Sequence, residues 1–215
     1  MYKPAFYHWT DAERAAKSQH AEIARLTGLG ATGRLLEIGS GDGAYLEYFQ
    51  NHGWECLGVE DDESYTNDWM NKNVLTLQGR LDEVGLPANS YDLVRIRGAL
   101  GGEKKLGESL RILFDAIHST GYLIAEVWNG SGFPSRPEDD CPVNQFSKAS
   151  LHQYLERAGF DVGGIIAPSL GDEIWTPLKQ EPAKGRTLIS KVTERTFGLF
   201  DRGSLLVAFA QKPPR

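Results

Sequence analysis

Three glycines alternate at positions 39, 41 and 43 within Leu35-Leu-Glu-Ile-Gly-Ser-Gly-Asp-Gly-Ala-Tyr-Leu46. They stand where a short apolar run gives way to a helical pattern. Without Cβ, such a backbone takes positive φ and lets a ligand rest against the chain. The helix that follows offers free N–H groups to polar ligand atoms. Glu37, two residues before the first glycine, can accept from a ligand ammonium. Glu60 closes the next apolar run, 21 residues after Gly39, where an acid can bind both ribose hydroxyls of an adenosine. The spacing therefore points to a nucleoside-containing cofactor at the carboxyl edge of a sheet. The alternatives are a tight turn without ligand and, for the acidic run 60–63, a solvated helix start favoured by the helix dipole.

Other chemistry-bearing residues are more scattered. Arg95 and Arg97 point to one face if their strand is regular, and two arginines in a buried strand are hard to satisfy. Arg97, nearer the carboxyl end, can pair a substrate carboxylate or phosphate; the alternative is an ion pair with acids on the covering helices. Trp128, Asn129 and Phe133 can stack on a flat or sugar-like acceptor. Tyr7, His8 and Trp9 precede the first helix, and His8 is a candidate base or a plain surface histidine. Trp175 can line a pocket. Asp139-Asp140-Cys141 lacks a partner with ligand spacing, so no metal site is expected. Cys56 and Cys141 are too far apart in sequence for a redox or metal motif, and Cys56 reads as a small apolar residue.

These residues need elements to hold them. Thr10 and Glu13 form a capping box opening a helix over 11–27, with Ile23, Leu26 and Leu29 in phase and Gly28 and Gly30 at its end. A strand follows at 34–38, then a helix at 43–52 with Leu46 and Phe49 inward. The pattern continues with a strand at 54–60, a helix at 64–72, strands at 74–78 and 91–97, a helix at 103–118 and a strand at 121–128. Such alternation indicates βαβ units and a parallel sheet covered on both faces. Right-handed crossovers put the strand carboxyl ends on one edge. A Gly-, Ser- and Pro-bearing loop runs over 128–145. Ser147 caps a helix with Leu151, Tyr154, Leu155 and Ala158 on one face, and a strand covers 160–167. Residues 168–202 read as an irregular insertion with one helix near 186–196, and a last strand spans 204–211, antiparallel to its neighbour. The fold class is thus α/β: a Rossmann-like, seven-stranded, mostly parallel sheet with an antiparallel last strand. Residues 1–215 form one domain, with 1–30 as an N-terminal helical lid.

The 215 residues, 40% hydrophobic and 24% charged, suit a soluble globular chain. The net charge of -6 and the lack of a basic stripe argue against general nucleic-acid binding. The longest clean apolar run, 205–210, is far too short to span a membrane. The N-terminus lacks a signal-peptide core, which points to the cytoplasm.

Four stretches together resemble class I S-adenosylmethionine-dependent methyltransferases. Leu36-Glu-Ile-Gly-Ser-Gly-Asp-Gly43 resembles the family's first motif, Gly58-Val-Glu60 its second, Ser90-Tyr-Asp92-Leu-Val the start of its fourth strand, and Leu155-Glu-Arg-Ala-Gly-Phe160 the helix end before its sixth. The likeness runs over about 31–167, resumes at the last strand, and is greatest to the small-molecule group that includes quinone-biosynthesis enzymes. The resemblance implies S-adenosylmethionine as cofactor and S-adenosylhomocysteine as product. Gly39, Ser40, Gly41 and Gly43 would pass the methionine portion, with Glu37 near its amino group. Glu60 would hold the ribose, Asp61 would flank the adenine, and the Leu81 N–H would meet it. Where relatives often carry Asp before that leucine, this chain has Arg80, leaving Asp82 or Glu83 for the adenine N6 contact. Where relatives often carry a Glu-His pair after the fourth strand, this chain has Gly101 and Gly102.

The function expected is methyl transfer to a small, anionic-capable acceptor, mainly by positioning, with His8, Arg97 and Asn129 as catalytic candidates and a homodimer left open. Two alternatives stand. One is an NAD-dependent oxidoreductase, since Gly39-x-Gly41-x-x-Ala44 fits a loose dinucleotide fingerprint, although no Tyr-x-x-x-Lys pair occurs. The other is a non-catalytic module that keeps the cofactor, suggested by Gly101-Gly102.

Overall fold

The computed structural model describes residues 32–131, 143–167 and 205–214, together with Ala16, His20 and Ile23. Strand β1 is Arg34–Ile38, β2 Glu55–Glu60, β3 Thr76–Gln78, β4 Tyr91–Arg97, β5 Ile117–Trp128, β6 Asp161–Ile166 and β7 Leu205–Gln211. Helix α1 is Ala44–Asn51, α2 Thr66–Lys72, α3 Leu106–Ala116 and α4 Lys148–Ala158. Ala16, His20 and Ile23 are helical and fall within the helix expected over 11–27.

The seven strands form one sheet in the order β3-β2-β1-β4-β5-β7-β6. Strands β1 to β5 pair in parallel, while β7 pairs antiparallel with both β5 and β6. The chain turns outward in opposite directions from β1, with β2 on one side and β4 on the other. In open α/β sheets the crevice at such a switch point is where ligands bind. The sequence pattern thus gave the right class: a Rossmann-like, mostly parallel sheet.

Alternation along each strand sends side chains to two different layers. Leu36, Ile38, Val94, Ile96, Leu123, Ala125 and Val127 pack with Leu110 and Leu113 of α3 and with Leu151 and Leu155 of α4. The other face carries Leu35, Leu93, Ile124 and Val207 against Tyr45, Leu46 and Phe49 of α1 and against Ala16 and Ile23. Glu37, Arg95 and Glu126 have the parity of this second face, so charged groups enter the layer beneath α1. At the opposite, amino-terminal edge, Lys212 Nζ donates to Ile117 O at 2.7 Å and Asn89 Oδ1 at 3.0 Å.

Several boundaries differ from expectation, each for a local reason. The helix expected over 64–72 is split: Asp62 accepts from Ser64 N at 3.0 Å and caps a 3-10 turn, Glu63–Tyr65, ahead of α2. Val74 belongs to the core rather than to β3, because its N–H returns to Trp69 O at 3.0 Å. The helix expected over 103–118 is shorter, Leu106–Ala116, and a 3-10 turn, Ala99–Gly102, precedes it. The strand expected from 121 begins at Ile117, because the register jumps from Tyr91↔Ile117 to Leu93↔Tyr122. Ser147 does cap α4, through a reciprocal pair with Ser150. Tyr154, expected on the buried face of α4, is 40% exposed; its ring meets Phe146 edge-on, centroids 6.2 Å apart.

Candidate functional site

The glycine loop occupies the switch point. Gly39 has φ +77, and a Cβ placed there would lie 2.5 Å from Arg97 O. Only glycine lets the ends of β1 and β4 approach this closely. Gly41 has φ 54, and its N–H donates to Glu60 Oε2 at 2.7 Å. Gly43 caps α1. Helix α2 braces the outer side: Trp69 Nε1 donates to Gly41 O at 2.6 Å, and Lys72 Nζ donates to Asp42 O at 2.9 Å. Ser40 is buried, and its hydroxyl meets no hydrogen-bond partner among the described residues. A Cβ on Gly58 would come within 2.8 Å of that hydroxyl, so the glycine of Gly58-Val-Glu60 makes room for the loop.

Glu60 is turned inward, 2% exposed. Its Oε1 accepts from the N–H groups of Asp61 and Asp62, both at 3.1 Å. Burial raises its pKa, the N–H groups of Gly41 and Asp62 oppose that, and the neighbouring Asp61 charge adds to it. Asp61 itself is exposed, while Leu81 is buried. Asp82 is exposed and lies 3.3 Å from the Arg80 guanidinium, which also reaches Glu103 at 3.5 Å. Arg80 thus stands among acids.

Glu37 lies beside Arg95 in the register of β1 and β4. Its Oε1 accepts from Arg95 Nη1, and its Oε2 has no partner among the described residues although the residue is 0% exposed. Arg95 donates Nε to Glu126 Oε1 at 3.0 Å and Nη2 to Glu126 Oε2 at 2.8 Å. The Tyr45 ring lies 3.8 Å from the guanidinium. Burial pushes the Glu37 carboxyl up to about 7, against the pull of Arg95 and Arg97 and with the push of Glu126. Burial works against the charge on Arg95, but Glu126 and Glu37 outweigh it and raise its pKa. Burial and then Arg95 lower that of Arg97; an arginine stays charged through such a shift.

The structure therefore brings Glu37, Gly39, Ser40, Gly41, Gly43 and Glu60 to one edge, with Arg97 at the carboxyl end of β4 beside them. Arg95 meets its acids within the sheet itself, Glu37 of β1 and Glu126 of β5. Asn129 is buried and accepts from Ser131 N at 3.0 Å, which shapes the turn after β5. Gly101 and Gly102 lie in the 3-10 turn after β4, tied down by Asn144. That side chain donates to Leu100 O at 2.9 Å and to Glu103 O at 2.6 Å, and Asn144 N donates to Gly101 O at 2.9 Å. His8, Phe133, the run 139–141, Trp175 and the insertion 168–202 lie outside the described residues.

Sequence reasoning missed Glu126, Tyr45 and Asn144. Glu126 carried a readable signal: an acid in the otherwise apolar Leu123-Ile-Ala-Glu-Val-Trp128, matching the arginines of β4. Asn144 carried none, because its role depends on where two chain segments meet.

Comparison with known proteins adds three findings. Residues 8–163 match the model of a family described as a methyltransferase domain. No curated protein sequence matches the chain. Solved structures share the fold at low identity. A SAM-dependent methyltransferase from Thermotoga maritima is 19% identical, with TM-score 0.65 over 96% of this chain and 94% of that one. An S-adenosylmethionine-dependent methyltransferase from Mesorhizobium loti is 17% identical, with TM-score 0.65 over 93% and 97%. The 1,6-didemethyltoxoflavin-N1-methyltransferase of Burkholderia thailandensis, solved with 1,6-didemethyltoxoflavin and S-adenosylhomocysteine bound, is 18% identical, with TM-score 0.62 over 95% and 80%.

Proposed function

The chain belongs to the methyltransferase-domain family, and from that premise we propose that it transfers a methyl group from S-adenosylmethionine to a small-molecule acceptor. One observation carries this reading: a positive-φ glycine loop at the β1/β4 switch point faces an inward acid, Glu60, hydrogen-bonded to Gly41. The residues fit an adenosyl amino acid in two further respects. Among the described residues, Ser40 and Glu37 each keep a buried oxygen without a partner, and the loop lies where a Cβ at Gly39 would strike Arg97 O.

When bound, the cofactor supplies a sulfonium methyl and leaves as a neutral thioether, S-adenosylhomocysteine. The chain's own residues bind and orient. The loop 39–43 takes the methionine portion and Glu37 its amino group. Glu60 takes the ribose, and Asp61, the Leu81 N–H and Asp82 take the adenine. Positioning alone can supply on the order of 7–11 kcal/mol to an in-line displacement. A base is needed only where the acceptor must lose a proton, and the turn holding Gly101 and Gly102 offers none. Arg97 and Asn129 are our candidates for touching the acceptor, with Arg97 favouring an anionic one, and His8 is the candidate base. We read 1–215 as one domain with a lid over 1–30 and an acceptor-selecting insertion over 168–202. Within the family we place the chain in the small-molecule group resembling quinone-biosynthesis enzymes.

The oxidoreductase alternative is disfavoured by β7, which runs antiparallel between β5 and β6 where a second dinucleotide-binding half would continue in parallel. The test is calorimetric titration: micromolar binding of S-adenosylhomocysteine and none of NAD is expected. Methyl transfer to members of a small-molecule panel then separates an enzyme from a non-catalytic module. Binding of NAD without the adenosyl ligand would overturn the assignment. Sedimentation reads whether a second copy covers Leu75 and Leu77, exposed at β3, and Met70, exposed on α2.

A further inference from the structure

Burying two carboxylates and a guanidinium in a sheet costs more than apolar packing unless their hydrogen bonds are complete. Here they are complete on one side only. Arg95 gives Glu126 a fork of two bonds, one to each oxygen, and gives Glu37 a single bond to Oε1. The Tyr45 ring stacks near the guanidinium and restrains its tilt. Glu37 Oε2 is left buried without a donor among the described residues, although buried polar atoms are nearly always paired. A triad serving only the fold would satisfy both acids; this one holds a spare acceptor two residues from Gly39.

Resting on the cofactor reading above, we propose that Arg95 and Glu126 are positioning residues for cofactor binding: Glu126 seats Arg95, and Arg95 fixes Glu37 with its free oxygen presented to the cofactor's ammonium. Neither residue touches the cofactor. The groups that face Glu37 are Arg95 and Arg97 from β4, Glu126 from β5, Tyr45 from α1 and Cys56 from β2. Among these, Arg95 favours the ionised carboxylate and Glu126 opposes it. The two positioning residues therefore pull the titration of Glu37 in opposite directions, while both are needed for its orientation.

The test is calorimetric binding of S-adenosylhomocysteine between pH 6 and 9 to the full chain, to Arg95→Met and to Glu126→Gln. Both variants are expected to lose about tenfold in affinity at pH 8, the scale of one mispositioned charge-assisted hydrogen bond. The pH below which binding falls away is expected to move up in Arg95→Met and down in Glu126→Gln. A role in packing alone would weaken binding without those opposed shifts. Affinities within twofold of the parent, an unmoved acid limb, or shifts of the same sign would overturn the proposal. Should Arg95→Met fail to fold, the fall in affinity and the downward shift in Glu126→Gln decide it. No binding to the parent chain would instead overturn the cofactor reading itself.

Discussion

At the scale of single residues, the site depends on one missing side chain and one crowded carboxylate. Gly39→Ala puts a Cβ 2.5 Å from Arg97 O at φ +77. Its neighbour is backbone in a central strand and has nowhere to go. Backbone strain of this kind costs about 1–3 kcal/mol, before any separation of β1 from β4. A lower melting temperature and weaker S-adenosylhomocysteine binding are both expected, read by calorimetry. Glu60 already accepts from three backbone N–H groups, and a carboxylate has about four acceptor sites. Glu60→Ala removes the acceptor proposed for the ribose and frees the loop it holds. Charge-assisted hydrogen bonds are worth about 1.5–3 kcal/mol each, so a loss of at least tenfold in affinity for S-adenosylhomocysteine is expected. An affinity within twofold of the parent would remove Glu60 from the site.

At the scale of elements, boundaries were legible in the sequence wherever a local signal was strong. Strands β1 and β4 match their expected limits because Gly39 and Gly98 stop them, and α4 begins where Ser147 caps it. Signals failed where tertiary contacts decided. The Gly101-Gly102 turn separates from α3 because Asn144 reaches it from a segment more than 40 residues later. The early start of β5 follows from pairing with Tyr91, which no periodicity reports. The glycine loop and Glu60 were readable as a site because their spacing is local. The Glu37–Arg95–Glu126 triad was half readable, as charges in apolar strands whose partners lie across the sheet. Asn144→Ala tests the element directly. It leaves Leu100 O and Glu103 O without this donor, a cost of about 1–3 kcal/mol expected as a lower melting temperature.

At the scale of the whole molecule, the role proposed for Glu37 links folding to binding, with opposite dependences on pH. Burial raises the Glu37 pKa from 4.5 to about 7, so the folded chain holds this proton more tightly than the unfolded one. Its contribution to stability is complete below the ordinary carboxyl range and is lost as pH rises to about 7. In the proposed role, cofactor binding uses the ionised form and so strengthens over the same rise. At ligand a hundredfold above its dissociation constant, binding adds about 2.7 kcal/mol. For a chain of this size that corresponds to roughly 5–10 °C in melting temperature. The shift produced by a fixed S-adenosylhomocysteine concentration should therefore be larger at pH 8 than at pH 6. The ligand-free chain should lose stability between those values relative to Glu37→Gln, whose amide does not titrate. Differential scanning calorimetry of both proteins, with and without ligand, reads all four slopes. A Glu37→Gln chain that keeps the parent's pH-dependent ligand shift would show that this carboxyl does not couple to binding, and ligand-free chains with equal pH slopes would show that it does not couple to folding.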